Sequence, residues 1–325
     1  MNRPMRVLGS LLVGCAFWAF SAPAFAEYPD KPIRLIVPQA AGSATDTVAR
    51  ILAAELGPIL GQTIVVEDKP GAAFTIGLDL VAKAAPDGYT LGIGPIGALA
   101  ISPNMVAKLP YVIEKDLTPI ALIVHGHLML AVSPKSDVKS VKELIAKAKA
   151  NPGKLTNASS ATGSPGHVGG ELFKYMTGTQ IQHVPYRGGS AALTDLLAGH
   201  VDLMFESLNS IAPMAKSGEV RSLGVSGEQR SKAFPDVPTI AEAGVPGYSA
   251  PTWTGLIGPG NLPQPIQDKL NTAANQAIKS PGFIERFAKI GDESAGGTPK
   301  DFADTIARDT AKWKDVIVRS GAKLE

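Results

Sequence analysis

Cysteine is all but missing from this chain: its 325 residues hold one, Cys15. Beyond the first 26 residues there is therefore no thiol, no disulfide and no cysteine-based metal site. Aromatic residues are scarce, at 6%, so the chain must cohere by aliphatic packing. It is long enough to do so as two ordinary domains. An excess of charge is also lacking. The chain carries 31 basic and 29 acidic residues, and without Arg3 and Arg6 the basic count falls to 29. A neutral protein is not built for bulk attraction to nucleic acid or an anionic membrane. An anion bound here must be held by local groups. Beyond residue 26 no apolar run approaches the ~20 residues that a spanning helix needs.

One apolar run opens the chain. Arg3 and Arg6 precede the stretch 7–20, which leads into the small-x-small triplet Ala24-Phe25-Ala26. That order is the pattern of a secretory signal peptide over residues 1–26, with cleavage after Ala26 and a mature chain starting at Glu27 in the periplasm. Leu12-Val13-Gly14-Cys15 offers an alternative, a lipoprotein anchored at Cys15. It ranks second because residues 16–20 stay apolar where a lipoprotein turns polar.

From residue 31 onward short β-branched runs alternate with amphipathic stretches. Strands are expected over 33–37, 63–66 and 89–93, with helices over 44–56 and 76–84 between them. After a long apolar run, 117–132, the same rhythm resumes: helices over 141–150, 165–177 and 191–198, strands over 155–158, 181–184 and 201–205. A second extended run, 253–257, leads to helices over 265–279, 281–289 and 299–320. Alternation of this kind implies parallel βαβ units, an α/β fold. Two such blocks joined by two crossings imply two lobes around a cleft: 27–126 with 247–325 as lobe I, and 127–246 as lobe II. Pro134 and Pro259 close the crossing runs and are expected to bound the hinge. The 34 Gly and 26 Pro punctuate many short loops.

Between the first strand and helix lies Pro38-Gln39-Ala40-Ala41-Gly42-Ser43-Ala44-Thr45-Asp46. Ser43 is placed as N-cap, Asp46 is expected to complete a capping box, and the amides of Ala44, Thr45 and Asp46 stand at the positive end of the helix. Lobe II repeats the device in Ser159-Ser160-Ala161-Thr162-Gly163-Ser164-Pro165, with Ser164 as N-cap, Pro165 at N1 and His167 on the first turn facing the cleft. A third loop, Pro185-Tyr186-Arg187-Gly188-Gly189-Ser190, precedes the next helix. In open α/β sheets ligands collect at the carboxyl ends of strands, where these loops fall.

Several blocks are specific: His183-Val184-Pro185-Tyr186-Arg187-Gly188-Gly189, Gly199-His200-Val201-Asp202, Pro235-Asp236-Val237-Pro238-Thr239 with Glu242-Ala243-Gly244, and Pro86-Asp87-Gly88-Tyr89-Thr90-Leu91. Together they resemble the tripartite tricarboxylate transporter substrate-binding proteins, the Bug family, over residues 28–313. The resemblance implies a two-lobed, type II-like periplasmic-binding-protein fold with a central ligand cleft and two crossing strands. It also implies a small ligand, usually a carboxylate, held by backbone amides, hydroxyls and water. The family's Pro-x-x-x-Gly-Gly-x-x-Asp loop maps onto Pro38, Gly42, Ser43 and Asp46, with Ser43 where the second Gly is usual. Its Asn-x-Pro-Gly-Ala-Gly-Gly-Asn-x-Gly segment reads Asp68-Lys69-Pro70-Gly71-Ala72-Ala73-Phe74-Thr75-Ile76-Gly77 here. Phe74 is expected to narrow the pocket and favour an aromatic or compact acid over citrate, and Glu206 stands where the family often has Asp.

Sharper motifs fare less well. Gly92-Ile93-Gly94-Pro95-Ile96-Gly97 spells the dinucleotide G-x-G-x-x-G string, yet it follows the third strand and Pro95 breaks the helix it needs. A loop lining the cleft is the better reading. His125 and His127 would share a strand face, but no third metal ligand lies near them. A secreted serine-type hydrolase acting on a small ester or amide is the rival class; no G-x-S-x-G elbow follows a strand and no nucleophile–base pair is evident. The expectation is therefore a non-enzymatic extracytoplasmic solute receptor, monomeric, without cofactor or metal and with no nucleic-acid partner. It would serve a membrane permease or a sensor. The Ser43–Asp46 helix start and the loop carrying Ser159, Thr162, Gly163, Ser164 and His167 would clamp the ligand, with Gln39, Phe74, Pro95, Ile96, Arg187 and Glu206 shaping the pocket. Asp46 and Glu206 would accept from a ligand ammonium if the ligand were an amino acid.

Overall fold

The computed structural model describes residues 28–321. The expected signal peptide, with cleavage after Ala26, and the alternative anchor at Cys15 lie outside the described residues. In chain order the first lobe begins with β1 (Ile33–Val37), α1 (Ala44–Leu60), β2 (Ile64–Asp68), α2 (Thr75–Ala82) and β3 (Thr90–Pro95). A π-helical turn (Gly97–Ile101), the short α3 (Ile113–Asp116) and β4 (Leu117–Gly126) follow. The second lobe holds β5 (Leu128–Val132), α4 (Val141–Ala150), β6 (Thr156–Ser159), α5 (Pro165–Thr177), β7 (Gln182–Pro185), α6 (Gly189–Ala198), β8 (Leu203–Ser207), α7 (Leu208–Ser217) and β9 (Arg221–Val225). The chain then returns through β10 (Thr252–Pro259), α8 (Gln264–Ala277), α9 (Pro281–Ile290), β11 (Glu293–Ser294) and α10 (Pro299–Ser320).

The expected α/β alternation is present as two sheets, ordered β11-β4-β10-β3-β1-β2 and β7-β6-β8-β5-β9. Within each, the strands joined through helices run parallel: β1 beside β2 and β3, β6 beside β7 and β8. The strands of the two crossings run antiparallel to their neighbours, β10 between β3 and β4, and β5 between β8 and β9. Amphipathic spacing explains the packing. Val48, Leu52 and Leu56 recur every fourth residue on one face of α1 and are buried against the first sheet. Each such side chain contributes about 1.5–3 kcal/mol when fully buried. α1 runs four residues past its expected end, through Pro58, to a left-handed Gly61.

The chain changes sheets at His127, between β4 and β5, and again between β9 and β10. One serine staples both passages. Ser226 Oγ accepts the Leu128 N–H at 2.8 Å and donates to the Ala250 carbonyl at 2.7 Å, while its own N–H and carbonyl bond the same two residues. The hinge expected at Pro134 and Pro259 is therefore misplaced. Pro134 lies beyond the far end of β5, and Pro259 is the last residue of β10, paired with Leu117. Proline lacks the amide that an interior strand position must donate, so it marks where pairing stops rather than where the lobes join. α10 opens with a full capping box, Thr298 with Asp301, and packs on both β4 and α5. It thereby ties the lobes at the hinge side, where one buried cluster joins Trp253, Phe302 and Trp313 to Leu128, Phe173 and Tyr248.

Candidate functional site

A cavity of about 340 Å³ opens between the lobes at the carboxyl ends of β1, β3 and β8. Lobe I lines it with Gln39, Gly42, Ser43, Ala44, Thr45, Thr47, Phe74, Pro95 and Ile96, and with Val124, Gly126, Thr252–Thr254 and Asp292 near the crossing strands. Lobe II contributes Ser160 and Pro165, then the start of α6 (Gly189, Ser190, Leu193, Thr194, Leu197) and the β8–α7 junction (Glu206, Ser207, Asn209, Ser210, Met214). Among the described residues no lysine, arginine or histidine lines this space.

The first loop is organised to face inward. Ser43 Oγ accepts the Asp46 N–H at 3.2 Å, and Asp46 Oδ2 accepts the Gly42 N–H at 2.8 Å. The reciprocal arm thus lands one residue before the N-cap, and the expected capping box is only half made. Gly42, at φ +76°, supplies the left-handed turn that brings its amide round to Asp46. Asp46 is buried and ion-paired to Arg50 at 2.7 Å, so it orders the loop rather than facing the cavity. Thr45 Oγ1 donates to Gln39 Oε1, fixing two lining side chains to each other. The amides of Ala44 and Thr45 take no partner among the described residues, and both residues line the cavity. This is the positive end of a 17-residue helix left open toward a polar space.

The second loop copies the geometry and closes it. Ser164 Oγ accepts the His167 N–H at 3.3 Å, and His167 Nδ1 accepts the Gly163 N–H at 3.1 Å, with Gly163 at φ +79°. His167 does not face the cleft. Its ring stacks on His183 with centroids 3.8 Å apart, and burial, then His183 and Lys174, push its pKa down to about 3. His183, pushed down to about 4 by burial and Lys174, lies 2.6 Å from Ser159 Oγ. The Ser159 hydroxyl donates to the Ala161 carbonyl at 3.0 Å, so the imidazole N–H donates to serine. That is the wrong sense for a general base, and Ser159 is fully buried. Ser159, Thr162, Gly163, Ser164 and His167 all fall outside the lining, as does the exposed Arg187; Ser160 and Pro165 are what this loop presents.

Two carboxyl groups do face the cavity. Glu206, 5% exposed, is the penultimate residue of β8, with donors from the Ser207 amide and Ser210 hydroxyl; burial outweighs them and raises its pKa to about 7. Asp292, also 5% exposed, accepts from Asn209 Nδ2 at 2.7 Å and is likewise raised to about 7 by burial. This bond runs from lobe I to lobe II. Asn209 and Asp292 were not anticipated. α7 carries Pro213 inside it and gives a poor helical signal, and a lone aspartate after a helix end resembles any surface acid in sequence.

Phe74 lines the cavity yet is only 5% exposed. A Cβ on Gly97 would come within 3.1 Å of its ring and 3.3 Å of Pro165 Cδ, so the ring fills the junction of β3, the π-helical turn and α5. Ala72, Ala73 and Phe74 all have left-handed backbones, at φ +46°, +50° and +74°. Each costs a non-glycine residue roughly 1–2 kcal/mol. The G-x-G-x-x-G string ends in β3 and the π-helical turn, with Pro95 and Ile96 in the cavity wall, so no dinucleotide-type helix follows it. His125 is the penultimate residue of β4 and His127 lies past it at the crossover, so they do not share one strand; His127 Nδ1 is buried without a partner.

Comparison with known proteins agrees with this geometry. Residues 48–322 match the model of the tripartite tricarboxylate transporter family receptor. BugT of Bordetella pertussis is 37% identical over 327 residues, covering 100% of this chain and 99% of that protein. A solved R. palustris protein with adipate is 36% identical at a TM-score of 0.89, covering 92% of this chain and 100% of the other. MatC from Rhodopseudomonas palustris with bound malate is 32% identical at a TM-score of 0.84, covering 89% and 100%.

Proposed function

Because the chain belongs to the tripartite tricarboxylate transporter receptor family, we propose that it is an exported receptor that captures a small dicarboxylate between its lobes. It would hand the ligand to integral membrane permease subunits or report it to a sensor. The observation that carries this reading is the inter-lobe cavity itself: about 340 Å³, walled by helix starts and hydroxyls from both lobes and, among the described residues, free of basic side chains. Its volume is at the small end of ligand pockets. The open amides of Ala44 and Thr45 are the donors for one carboxylate, with Ser43, Gln39 and Thr45 hydroxyl and amide groups beside them. Phe74 sets the pocket's size, which favours a compact acid over citrate. The adipate and malate relatives support a dicarboxylate of four to six carbons.

A ligand that touches both lobes favours the closed form by its differential contacts. Nothing in the reading needs catalysis. The serine–histidine pair Ser159 with His183 lies outside the cavity wall and is oriented against proton abstraction. The test is a melting-temperature screen of ligand-stripped protein against mono-, di- and tricarboxylates and acidic amino acids. A cognate dicarboxylate at a hundred times its Kd stabilises by about 2.7 kcal/mol, enough to move the transition by a few degrees. A screen in which no carboxylate shifts the transition, or in which ester substrates are turned over, overturns the reading.

A further inference from the structure

The wall of the cavity poses a charge problem. Two carboxyl side chains, Glu206 and Asp292, face a space proposed to receive an anion, and no basic side chain faces it among the described residues. Asp292 is already clamped by Asn209. Glu206 sits at the meeting of two helix starts: Ser207 and Ser210 donate to it, and a Cβ on Gly189, at the beginning of α6, would come within 3.2 Å of its carboxylate. Those donors use lone pairs of the carboxyl, and a neutral acid in this place would still have its own O–H to give. An ionised Glu206 beside a bound carboxylate would be a buried like-charge pair, which proteins avoid by keeping one proton on the pair.

Resting on the carboxylate-receptor reading above, we propose that Glu206 meets the ligand as a neutral acid, donating its O–H to a ligand carboxylate, so that capture of the anion carries a proton with it. No formal bond beyond the hydrogen bond forms; the proton stays on Glu206 and is shared with the ligand oxygen. Apart from Asp292, whose carboxylate already takes the Asn209 donor, the surroundings leave Glu206 alone in this role; on α5, packed on β8, Glu171 is ion-paired with Lys174 and His167 is stacked on His183. β5, paired with it at Met129, has no titratable residue. On α6 the acid is Asp195, held by Tyr186 and His200, and on α7 the base is Lys216, held by the Lys289 carbonyl. Asp46 on α1, across the cleft, is paired with Arg50. Burial sets Glu206 to titrate near neutrality in the empty cleft, and a neighbouring carboxylate moves that midpoint higher. This assigns specificity as well as charge: an amino-acid ligand placing its ammonium on Glu206 needs the ionised form and would expel the proton instead.

The sign of the pH dependence separates the two. Affinity for the strongest acid of the screen, with adipate and malate as reference probes, is measured by calorimetry between pH 6 and 8.5 in buffers of differing ionisation enthalpy. The expected result is weaker binding as pH rises, approaching tenfold per pH unit above neutrality, with close to one proton taken up per ligand at pH 8. Glu206→Gln, which keeps a donor, should bind with a flat profile and no proton uptake, whereas Asp292→Asn, at the other acid of the wall, should keep the wild-type slope and proton uptake. Carboxyl NMR supplies a ligand-free arm: the resonance missing in Glu206→Gln should titrate near pH 7 in the wild-type protein. Affinity that is flat or rises with pH, a Glu206→Gln profile as steep as wild type, or a midpoint in the ordinary carboxylate range overturns the proposal. If no carboxylate binds at any pH, the receptor reading fails and takes this one with it; binding with a flat profile removes this one alone.

Discussion

The β1–α1 and β6–α5 turns are two answers to one local design. Each has a left-handed glycine, Gly42 or Gly163, then a serine N-cap, then an N3 side chain that reaches back to the glycine amide. In the first the N3 residue is Asp46, neutralised from outside by Arg50, and the helix start is open to the cavity. In the second it is His167, stacked on His183, and the helix start is shut inside the lobe. The two loops show that a helix start offers donors to a cavity only when tertiary packing leaves its amides uncovered. What covers the second one is β8, whose chain passes under α5 and continues into the cavity wall at Glu206 and α7.

The sharpest way to break the comparison lies at the N2 positions, Thr45 and Gly166. A Cβ on Gly166 would stand 2.1 Å from the Phe205 carbonyl oxygen, a backbone atom that cannot swing aside. Gly166→Ala should therefore cost about 3 kcal/mol or more in urea unfolding, at the upper end for overpacking. Thr45→Ala removes only the bond to Gln39 and should cost about 1 kcal/mol. If the two substitutions cost the same, the second turn is not closed by β8 and the contrast dissolves.

Much of the fold was legible before the structure, and less of the site. The helices over 141–150, 165–177 and 299–320 end where their caps and apolar spacing placed them. So did the first strand, since β-branched runs and Gly/Pro punctuation act locally. α7 and β9 were not read, because Pro213 interrupts the helical pattern and β9, Arg-Ser-Leu-Gly-Val, has a single β-branched residue where β1 has three. Of the site, Gln39, Ser43, Ala44, Thr45, Phe74, Pro95, Ile96 and Glu206 fall in the cavity wall. Asp46, Ser159, Thr162, Gly163, Ser164, His167 and Arg187 do not. A cap motif is written in four residues, whereas its accessibility is decided by strands 40 residues away, such as β8.

Titration sharpens the contrast next. The buried His167 and the half-buried His183 stay neutral in the fold while the unfolded chain protonates them near pH 6.5. Their contribution is thus complete above that pH and is lost as pH falls toward their depressed values of about 3 and 4. The cavity acids run the other way. Glu206 and Asp292 hold protons in the fold that the unfolded chain has released, so their contribution is complete below about pH 4 and is lost as pH rises through about 7. The wild-type profile sums opposing slopes, and single substitutions separate them. Relative to wild type, His167→Gln should gain about 2 kcal/mol between pH 6.5 and 5. A difference that does not change with pH would mean that the second loop is hydrated and open like the first.

The smallest effect is the most discriminating, because the two cap serines do the same thing for their helices and different things for a ligand. Ser43→Ala and Ser164→Ala each delete one hydroxyl acceptor for an N3 amide, and each should cost about 1 kcal/mol of stability. Only Ser43 lines the cavity. Losing its hydroxyl removes one polar contact and loosens the helix start that holds the Ala44 and Thr45 amides, so affinity for a bound carboxylate should fall by roughly three- to tenfold, about 0.7–1.4 kcal/mol. Ser164→Ala, acting on a turn sealed behind His167 and His183, should leave affinity within about twofold at temperatures where both variants are folded. Equal losses of affinity would mean that the caps act only through the stability of their lobes. A loss confined to Ser164→Ala would move the anion's donors from α1 to α5 and reverse the assignment of the two turns.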